Sequence, residues 1–537
     1  MRKWILQVCF IAMLTSQASV IADDLVDGAH AYQTNDYVTA LAKLKPLAAS
    51  GSAEAEYYLG LMYTKGYGVA QDYHAAADWF VKSANQGYAK AETSIGEAFY
   101  FARGCPQDYG EALVWFNKAA SQNDAPSEYY LGLFYEMGYG VKPDNAQALI
   151  WYRKAVDQGD AYAEANLGLM YKDGQGVVQD DHTAVDLLTK SAKQGVPIAQ
   201  YNLAQEYFFG GAVKKDMGIA TSWYQKSAEQ GFAPAESALG YQYENGLGVE
   251  KDPAKGLIWI RKSADASNAE AQFYLGSLYS AGEILPKDDA QAAIWFRRAA
   301  DQGFARAETA LAVMYKNGEG VNQDYMQAAD WFKKAADQGS ATAESYLANM
   351  YMDGRGVPKD LQIAATWFQK AADQGDTSSE YNLGVMYAKG MGVVKDSGRA
   401  VALFGKAAQA GDANAQTALG MMYVNGYGLA EDDVQAAYWF RKAADQDDTV
   451  AQYLMGLSYK LGQGVKQDPK SAFTYFETAA KKEFPAAEFE VGAAYENGNG
   501  IQRDIQQATY WYGMAAKLNY APAQDALNKL ARNSKQP

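Results

Sequence analysis

Histidine and cysteine are both scarce in this chain of 537 residues, which has three histidines and two cysteines. A catalytic triad needs a histidine beside its nucleophile, and a structural zinc site needs about four Cys or His ligands close together. The sequence also lacks the G-x-S-x-G, G-x-x-x-x-G-K-S/T and H-E-x-x-H signatures. We therefore predict that the protein is not an enzyme and that it holds no metal ion or cofactor.

Long apolar runs and an excess of basic charge are also missing. Beyond the N-terminus no run of 18 apolar residues occurs, so no membrane span is expected. Acidic residues number 63 against 48 basic ones, for a net charge of −15. Duplex nucleic acid and anionic membranes attract basic surfaces, so we exclude both as partners. No asparagine begins an N-x-S/T glycosylation site, which favours a bacterial source.

Residues 1–22 have the pattern of a secretory leader. Arg2 and Lys3 precede the mostly apolar stretch Trp4–Leu14, and small residues stand at the third and first positions before Asp23. We predict cleavage near Ala22-Asp23 and export of the mature chain, either to the periplasm or out of the cell.

What the chain has in abundance is repetition. Thirteen consecutive blocks of 36 residues run from 51 to 518 without an insertion or deletion, as a comparison of Gly51–Gln86 with Gly303–Gln338 illustrates. A fixed period of this length indicates a stacked-repeat architecture, which works through an extended surface. We number the blocks repeat 1 (51–86) to repeat 13 (483–518). Equivalent positions are named by their residue in repeat 1.

Each repeat contains two apolar stretches with helical spacing, joined by a glycine-rich turn. The Asp72 position is aspartate in all thirteen repeats and lies just before the second stretch, so we predict an N-cap. A calcium site is the alternative, but the turns lack clustered oxygen ligands. The aromatic Tyr63 and Trp79 positions are predicted to form the core, and the small Gly60 position to allow close helix approach. Turns with Ala102, Ala212 or Ile284 in place of a glycine are expected to bend differently.

The combination A-x-A-E-x-x-L-G-x-x-Y, G-x-G-V-x-x-D and A-x-x-W-F-x-K-A-A resembles the Sel-one-like repeat family, relatives of the tetratricopeptide repeats. The resemblance covers 51–518. It implies an all-α fold, a right-handed α/α superhelical solenoid of 36-residue helix–turn–helix repeats whose first helices line the concave face. It also implies an adaptor that binds proteins, or sometimes cell-wall or polysaccharide machinery. The cysteine-rich, β-lactam-linked subset of the family pairs cysteines within each repeat, and it is excluded because Cys105 is the only cysteine in residues 51–518.

The chain ends are expected to cap the array. Residues 23–50 are predicted to form an N-terminal helical cap and 519–537 a C-terminal capping helix, since repeat arrays need polar terminal units. The predicted organisation is therefore a leader (1–22), a cap (23–50), thirteen repeats (51–518) and a final helix (519–537).

Positions that vary between repeats on the first helix are the candidates for partner binding. Tyrosine and asparagine recur at the Tyr58 and Leu61 positions; tyrosine offers rigid contact area and asparagine can bond a peptide backbone. Packing between helices, or plain solvent exposure, is an equally good interpretation. The candidate residues are Tyr58, Tyr130, Asn166, Asn202, Tyr241, Tyr274, Tyr346 and Asn382.

A second candidate patch consists of paired aromatics at the end of two first helices. These are Tyr100 with Phe101, and Phe208 with Phe209. Repacking around Ala102 and Ala212 would explain them equally well.

Two functions remain open from the sequence. The first is a non-enzymatic scaffold in the bacterial envelope, or secreted, that binds envelope machinery or a host protein through the concave face. The second is a binding protein or enzyme associated with the cell wall or a polysaccharide, for which a glycan is the expected partner.

Overall fold

A computed structural model describes residues 23–533, without the side chain of residue 533. The predicted leader (1–22) and residues 534–537 lie outside the described residues. Within 23–533 the chain forms 29 α-helices joined by turns, and no strand occurs there. Almost every helix has 12 or 13 residues, as in α4 and α3 (Tyr73–Ala84 and Ala53–Lys65).

The helices alternate in order along the repeats. Two helices precede the repeats and one follows them: α1 (23–33), α2 (Tyr37–Ala49) and α29 (Ala521–Asn533). The first helices of repeats 1–13 are α3 (Ala53–Lys65), α5 (Ala89–Phe101), α7 (Ala125–Met137), α9 (Ala161–Asp173), α11 (Pro197–Phe209), α13 (Ala233–Asn245), α15 (Ala269–Ala281), α17 (Ala305–Asn317), α19 (Ala341–Asp353), α21 (Thr377–Lys389), α23 (Ala413–Asn425), α25 (Thr449–Leu461) and α27 (Pro485–Asn497). The second helices are α4 (Tyr73–Ala84), α6 (Tyr109–Ala120), α8 (Asn145–Asp157), α10 (Asp181–Lys193), α12 (Met217–Glu229), α14 (Pro253–Asp265), α16 (Asp289–Ala300), α18 (Tyr325–Asp337), α20 (Leu361–Asp373), α22 (Ser397–Gln409), α24 (Asp433–Ala444), α26 (Pro469–Ala480) and α28 (Ile505–Lys517).

The described residues divide into two compact units, 23–266 and 267–533. Within each unit a helix packs mainly on the helices before and after it in sequence. This is the neighbour-only packing of a repeat array, and the prediction of an all-α, α/α solenoid is confirmed. Its handedness stays a prediction.

The aspartate at the Asp72 position caps the second helix in every repeat. In repeat 1 the Asp72 carboxylate accepts hydrogen bonds from the backbone N–H groups of His74 and Ala75, at 2.9 and 3.1 Å. Each of the other twelve aspartates accepts from one or two backbone N–H groups in the first turn of its helix. The backbone N–H of Asp72 also donates to the Tyr63 carbonyl at 3.0 Å, which ties the turn to the first helix. The capping prediction is confirmed.

The centre of the core lies one residue beyond the predicted tryptophan. Phe80 and its equivalents are buried, whereas most rings at the Trp79 position are half-buried. The ring of Phe80 rests on Gly60, where an added Cβ would come within 2.4 Å of Cε1 of Phe80. The prediction that small residues allow close helix approach is confirmed. The tryptophan position flanks the core and does not form its centre.

Of the three turns that lack a glycine, two have a different backbone conformation and one does not. Ala102 has φ 55° and ψ 41°, in the same left-handed region as Gly66 at φ 73° and ψ 28°, so the expectation of a different bend there is wrong. Neither Ala212 nor Ile284 has a positive φ, whereas glycines at this position in the other repeats have φ between 67° and 81°. These two turns do bend differently, because a side chain disfavours the left-handed region.

Candidate functional site

A cleft opens between consecutive first helices on the surface where the predicted residues lie. Between repeats 1 and 2 it measures about 140 Å³. The ring of Phe80 lies in its floor, and Lys65, Ser94, Glu97 and Arg103 are among its walls. Ser94 and Glu97 occupy the Tyr58 and Leu61 positions of repeat 2, so both variable positions line the same cleft. We call the surface that carries these clefts the first-helix surface.

The same cleft recurs elsewhere in the array. Between repeats 8 and 9 it measures about 190 Å³ and includes Lys316, Tyr346 and Asn349. Between repeats 12 and 13 it measures about 220 Å³ and includes Phe476 and Glu490. In all three cases the Tyr58 and Leu61 positions of the later repeat contribute walls. The variable positions singled out from the sequence therefore converge on one recurring feature.

Tyrosines at the Tyr58 position pack on the chain itself. The ring of Tyr130 stacks on Phe116 of the preceding repeat with centroids 4.6 Å apart and planes 10° apart. Its hydroxyl donates to Oε1 of Glu97 at 2.9 Å. Tyr346 stacks on Phe332 in the same way, at 4.9 Å and 18°. Burial and the neighbouring Glu97 raise the pKa of the Tyr130 hydroxyl, and burial raises the pKa of Glu97.

The ring of Tyr58 packs on that of Tyr32 in α1, with centroids 5.3 Å apart. Tyr58 is therefore engaged in packing on α1, one of the two helices that precede the repeats.

The candidate asparagines have varied surroundings. The amide of Asn166 donates to the hydroxyl of Tyr152 at 2.9 Å, and that hydroxyl donates to Glu136 at 2.5 Å. The amide of Asn202 donates to the carbonyl of Ile198 in its own helix at 2.8 Å. Asn382 and Tyr274 are half-buried, and Tyr241 is exposed. Several candidates thus have structural contacts, and a binding role for all eight stays a prediction.

In each of the two residue pairs of the second candidate patch, one ring points inward and the other outward. Tyr100 lies within an aromatic cluster, 5.9 Å from Tyr109 and 5.7 Å from Tyr139 between ring centroids. Phe101 meets Tyr100 edge-on at 4.6 Å and is exposed.

Phe208 and Phe209 repeat this arrangement in repeat 5, with centroids 5.0 Å apart and Phe209 exposed. In each pair the outer ring is exposed and the inner ring is half-buried.

A wider cleft of about 660 Å³ lies along the turns of repeats 4 and 5, and the sequence did not predict it. Arg153, Tyr171, His182 and Ala212 are among its walls. Arg153 donates to the Tyr171 hydroxyl at 2.8 Å. The altered turn at Ala212 borders this opening. Across residues 23–533 no group of three or more His, Cys, Asp or Glu side chains is placed to hold a metal ion.

Sequence reasoning also missed a row of buried acidic and amide side chains at the Glu56 position. Glu56 is buried, and the side-chain amide of Gln86 donates to its Oε2 at 2.7 Å. Lys82 lies near this carboxylate and over the ring of Trp79, with its Nζ 4.0 Å from the centroid. The signal was a Glu or Gln in every repeat, usually thirty residues before a Gln. The same link joins Gln122 to Glu92, Gln158 to Glu128, Gln194 to Glu164, Gln230 to Gln200, Gln302 to Gln272, Gln338 to Glu308, Gln374 to Glu344 and Gln446 to Gln416.

Repeat 13 breaks this pattern. Glu488 is fully buried, and neither carboxylate oxygen has a hydrogen-bond partner among the described residues. Leu518 stands where other repeats have glutamine, and Met514 where most have lysine. Burial and the nearby Glu483 raise the pKa of Glu488.

The outward face of the second helices carries exposed apolar side chains. In the unit 23–266 these include Val114, Ile150, Ile219 and Ile258. This face lies on the helices that do not carry the candidate residues, so it provides a natural comparison surface. No helix among the described residues combines the length and apolar character that a bilayer span requires.

A family model for the Sel1 repeat matches the chain thirteen times in succession, from residues 53–88 to residues 485–520. The chain is 34% identical to a protective antigen present in uropathogenic Escherichia coli strains that displays an SLR fold. That match has a TM-score of 0.63 and covers 86% of this chain and 98% of the antigen. A Sel1 repeat protein from Oxalobacter formigenes is 36% identical, with a TM-score of 0.44 over 57% of this chain and 90% of its own. No curated protein matches the chain.

Sel1 repeat solenoids are typical of protein–protein interaction scaffolds and are generally not enzymes. The thirteen matches cover most of the chain, and the alternating helices, capping aspartates and recurring clefts have the same period. The chain therefore belongs to the Sel1 repeat family.

Proposed function

We propose that this protein is an exported, non-enzymatic scaffold that binds protein partners along its first-helix surface. The observation that supports this most directly is the cleft repeated between repeats 1 and 2, 8 and 9, and 12 and 13. Each combines apolar side chains with charged or amide groups, as a surface that recognises polypeptide does.

The spacing of the clefts suits an extended peptide. Neighbouring helices pack 8–10 Å apart, so consecutive first helices, which alternate with second helices, lie at a spacing of about 10 Å along the stack. A strand rises about 3.3 Å per residue. An extended segment would therefore offer about one side chain in three to each repeat.

Export is part of the proposal. The pattern of Arg2, Lys3 and the apolar stretch Trp4–Leu14 supports a cleaved leader. The similarity to a protective antigen of uropathogenic E. coli is compatible with a periplasmic or secreted protein. The partner would then be a component of the bacterial envelope or a host protein.

Site-specific crosslinking tests the surface. We would place p-benzoyl-phenylalanine at Tyr241, which is 47% exposed on the first helix of repeat 6, or at Ile258, which is 66% exposed on the second helix of the same repeat. Crosslinking in intact cells should yield a defined protein adduct from position 241 and none from position 258. Adducts from position 258 alone would place binding on the second helices and refute the proposal.

Glycan binding is the second candidate function. It is favoured by the exposed rings of Phe101 and Phe209, because exposed aromatic faces can stack on sugars. Purified protein would be sedimented with peptidoglycan or with exopolysaccharide. Co-sedimentation lost in a Phe101→Ala/Phe209→Ala variant, with unchanged helicity, would support this function over the protein scaffold.

A further inference from the structure

The floor of the recurring cleft is covered to different extents in different repeats. Phe116 and Phe332 are 0% exposed, and each lies beneath a tyrosine at the Tyr58 position of the next repeat. Phe80 is 5% exposed and lies near Ser94, which has no ring at that position. Phe80 lines the cleft between repeats 1 and 2.

Other repeats show which ring packs on this phenylalanine position. Where tyrosine is present, its ring lies nearly parallel to the phenylalanine beneath it, 4.6 Å away for Tyr130 and 4.9 Å for Tyr346. Tyr130 also donates its hydroxyl to Glu97. Between repeats 1 and 2 the same floor is present and the covering ring is not. A stacked aromatic pair is favoured beyond the apolar area that it buries.

The rim of this cleft adds a charge preference. Lys65 and Arg103 lie on its walls together with Glu97. The Glu97 carboxylate is already bonded by the Tyr130 hydroxyl, and the two cations leave the rim with net positive charge in a chain whose total is −15. An acidic segment complements that rim.

We propose that the cleft between repeats 1 and 2 is a socket for a tyrosine or phenylalanine side chain in an acidic segment of a partner protein. The partner's ring stacks on Phe80 as Tyr130 stacks on Phe116. This inference rests on the proposed scaffold function and names the chemistry of the segment that the scaffold binds.

The test places on Phe80 the ring that other repeats carry at this position. Ser94→Tyr introduces the tyrosine found at this position in repeats 3 and 9, and Ser94→Ala leaves the cleft open as the matched control. The probe is the fluorescein-labelled peptide Gly-Asp-Tyr-Asp-Gly, compared with the same peptide carrying alanine in place of tyrosine. Fluorescence anisotropy measures both affinities for the full mature chain.

Wild type and Ser94→Ala should bind the tyrosine peptide at least about tenfold more tightly than the alanine peptide, because burying one aromatic ring is worth that much. Ser94→Tyr should lose the difference while its melting temperature stays the same or rises. If Ser94→Tyr fails to fold, Arg103→Glu provides the second test and should weaken binding of the same peptide. Equal affinity for the two peptides, no detectable binding of the tyrosine peptide, or unchanged discrimination in the folded variants would overturn the socket.

The peptide-binding test of the socket can be distinguished from the crosslinking test of the scaffold. An adduct from position 241 in a strain whose protein shows no preference for the tyrosine peptide would leave the scaffold standing without the socket. Absence of that adduct would remove the scaffold itself.

Discussion

A Glu or Gln side chain is enclosed at the Glu56 position of every repeat, and its environment differs from repeat to repeat. In repeat 1 the carboxylate has an amide donor in Gln86 and a nearby cation in Lys82. In repeat 13 Glu488 has neither. A buried polar atom without a partner is unfavourable by about 1–3 kcal/mol. One position can therefore stabilise one repeat and weaken another.

Restoring the missing donor should stabilise repeat 13. Leu518→Gln places glutamine thirty residues after Glu488, the separation that joins Gln86 to Glu56 at 2.7 Å. We expect a gain of about 1 kcal/mol, seen as slower hydrogen exchange in α27 and α28 at pH 7. The mirror variant Gln86→Leu should speed exchange in α3 and α4 by a similar free energy. Unchanged exchange in both variants would show that this link does not contribute to stability.

The buried glutamates should also make stability depend on pH. Burial is the largest cause that raises the pKa of Glu308 and of Glu344. The folded chain therefore holds these protons more tightly than the unfolded chain, where glutamate has a pKa of about 4.3. The resulting stability is fully present below that value and is lost as the pH rises through the higher folded values.

Replacing Glu308 and Glu344 by glutamine should remove part of the pH dependence of stability. Glutamine occurs naturally at the same position in other repeats, as at Gln272 and Gln416. We expect the melting temperature of Glu308→Gln/Glu344→Gln to fall less than that of wild type between pH 4.5 and 7. Glu319→Gln, at an exposed site, is the control and should follow wild type. Parallel curves for all three proteins would contradict the assignment.

Helix ends and turns are the elements that the sequence specified best. The aspartate at the Asp72 position predicted the start of every second helix, because capping depends on a local side chain and its own backbone. The core was predicted less well. Trp79 and Phe80 differ by one residue, about 100° around a helix, and a wide apolar stripe does not show which ring points to its centre. Ala102 was misjudged because its turn tolerates a left-handed alanine.

Substitution of the second glycine of the turn should destabilise the protein more than substitution of a glycine with no near neighbour, because the second glycine approaches the backbone of the preceding repeat. In Gly356→Ala the new Cβ would lie 2.0 Å from the carbonyl oxygen of Tyr325 at the start of α18. Gly375→Ala is the matched control, since Gly375 has a similar φ of 85° and no atom within 4 Å. Both variants incur backbone strain of about 1–2 kcal/mol.

Overpacking should add roughly 1–3 kcal/mol to Gly356→Ala alone. Urea denaturation followed by circular dichroism measures the difference between the two variants. Equal destabilisation would mean that the contact relaxes without penalty.

At the scale of the whole molecule, the period determines the architecture, while function depends on departures from it. The sequence predicted the solenoid because nearly every repeat has the same apolar pattern. It also placed Tyr130 and Ser94 at one position. It did not show that the ring of Tyr130 stacks on the phenylalanine of the preceding repeat, whereas Ser94 provides no ring to stack on Phe80. That difference depends on contacts between repeats, which a comparison of single positions does not reveal.

Neighbour-only packing has a direct consequence for deletions. Removing residues 341–376, one whole Sel1 repeat, joins Ser340 to Thr377, so that α21 follows α18. The Tyr58 position of the repeat after Phe332 would then hold Asn382 in place of Tyr346. Phe368, which precedes Asn382 in the same way in the intact chain, is fully buried. We expect the shortened protein to keep its mean residue ellipticity and resistance to trypsin, with a modestly lower melting temperature, because each repeat contributes its own term to stability.

Removing only 341–358 is the control for that deletion. It takes away α19 and its turn, so that one second helix follows another and α20 loses the first helix on which it packs. This variant should lose ellipticity per residue and be cleaved by trypsin near the junction, since two apolar faces are left without their partners. If the two deletions behave alike, the stack is not additive by whole repeats. The clefts would then have to be treated as properties of the entire array, and the socket between repeats 1 and 2 could not be tested by a local substitution.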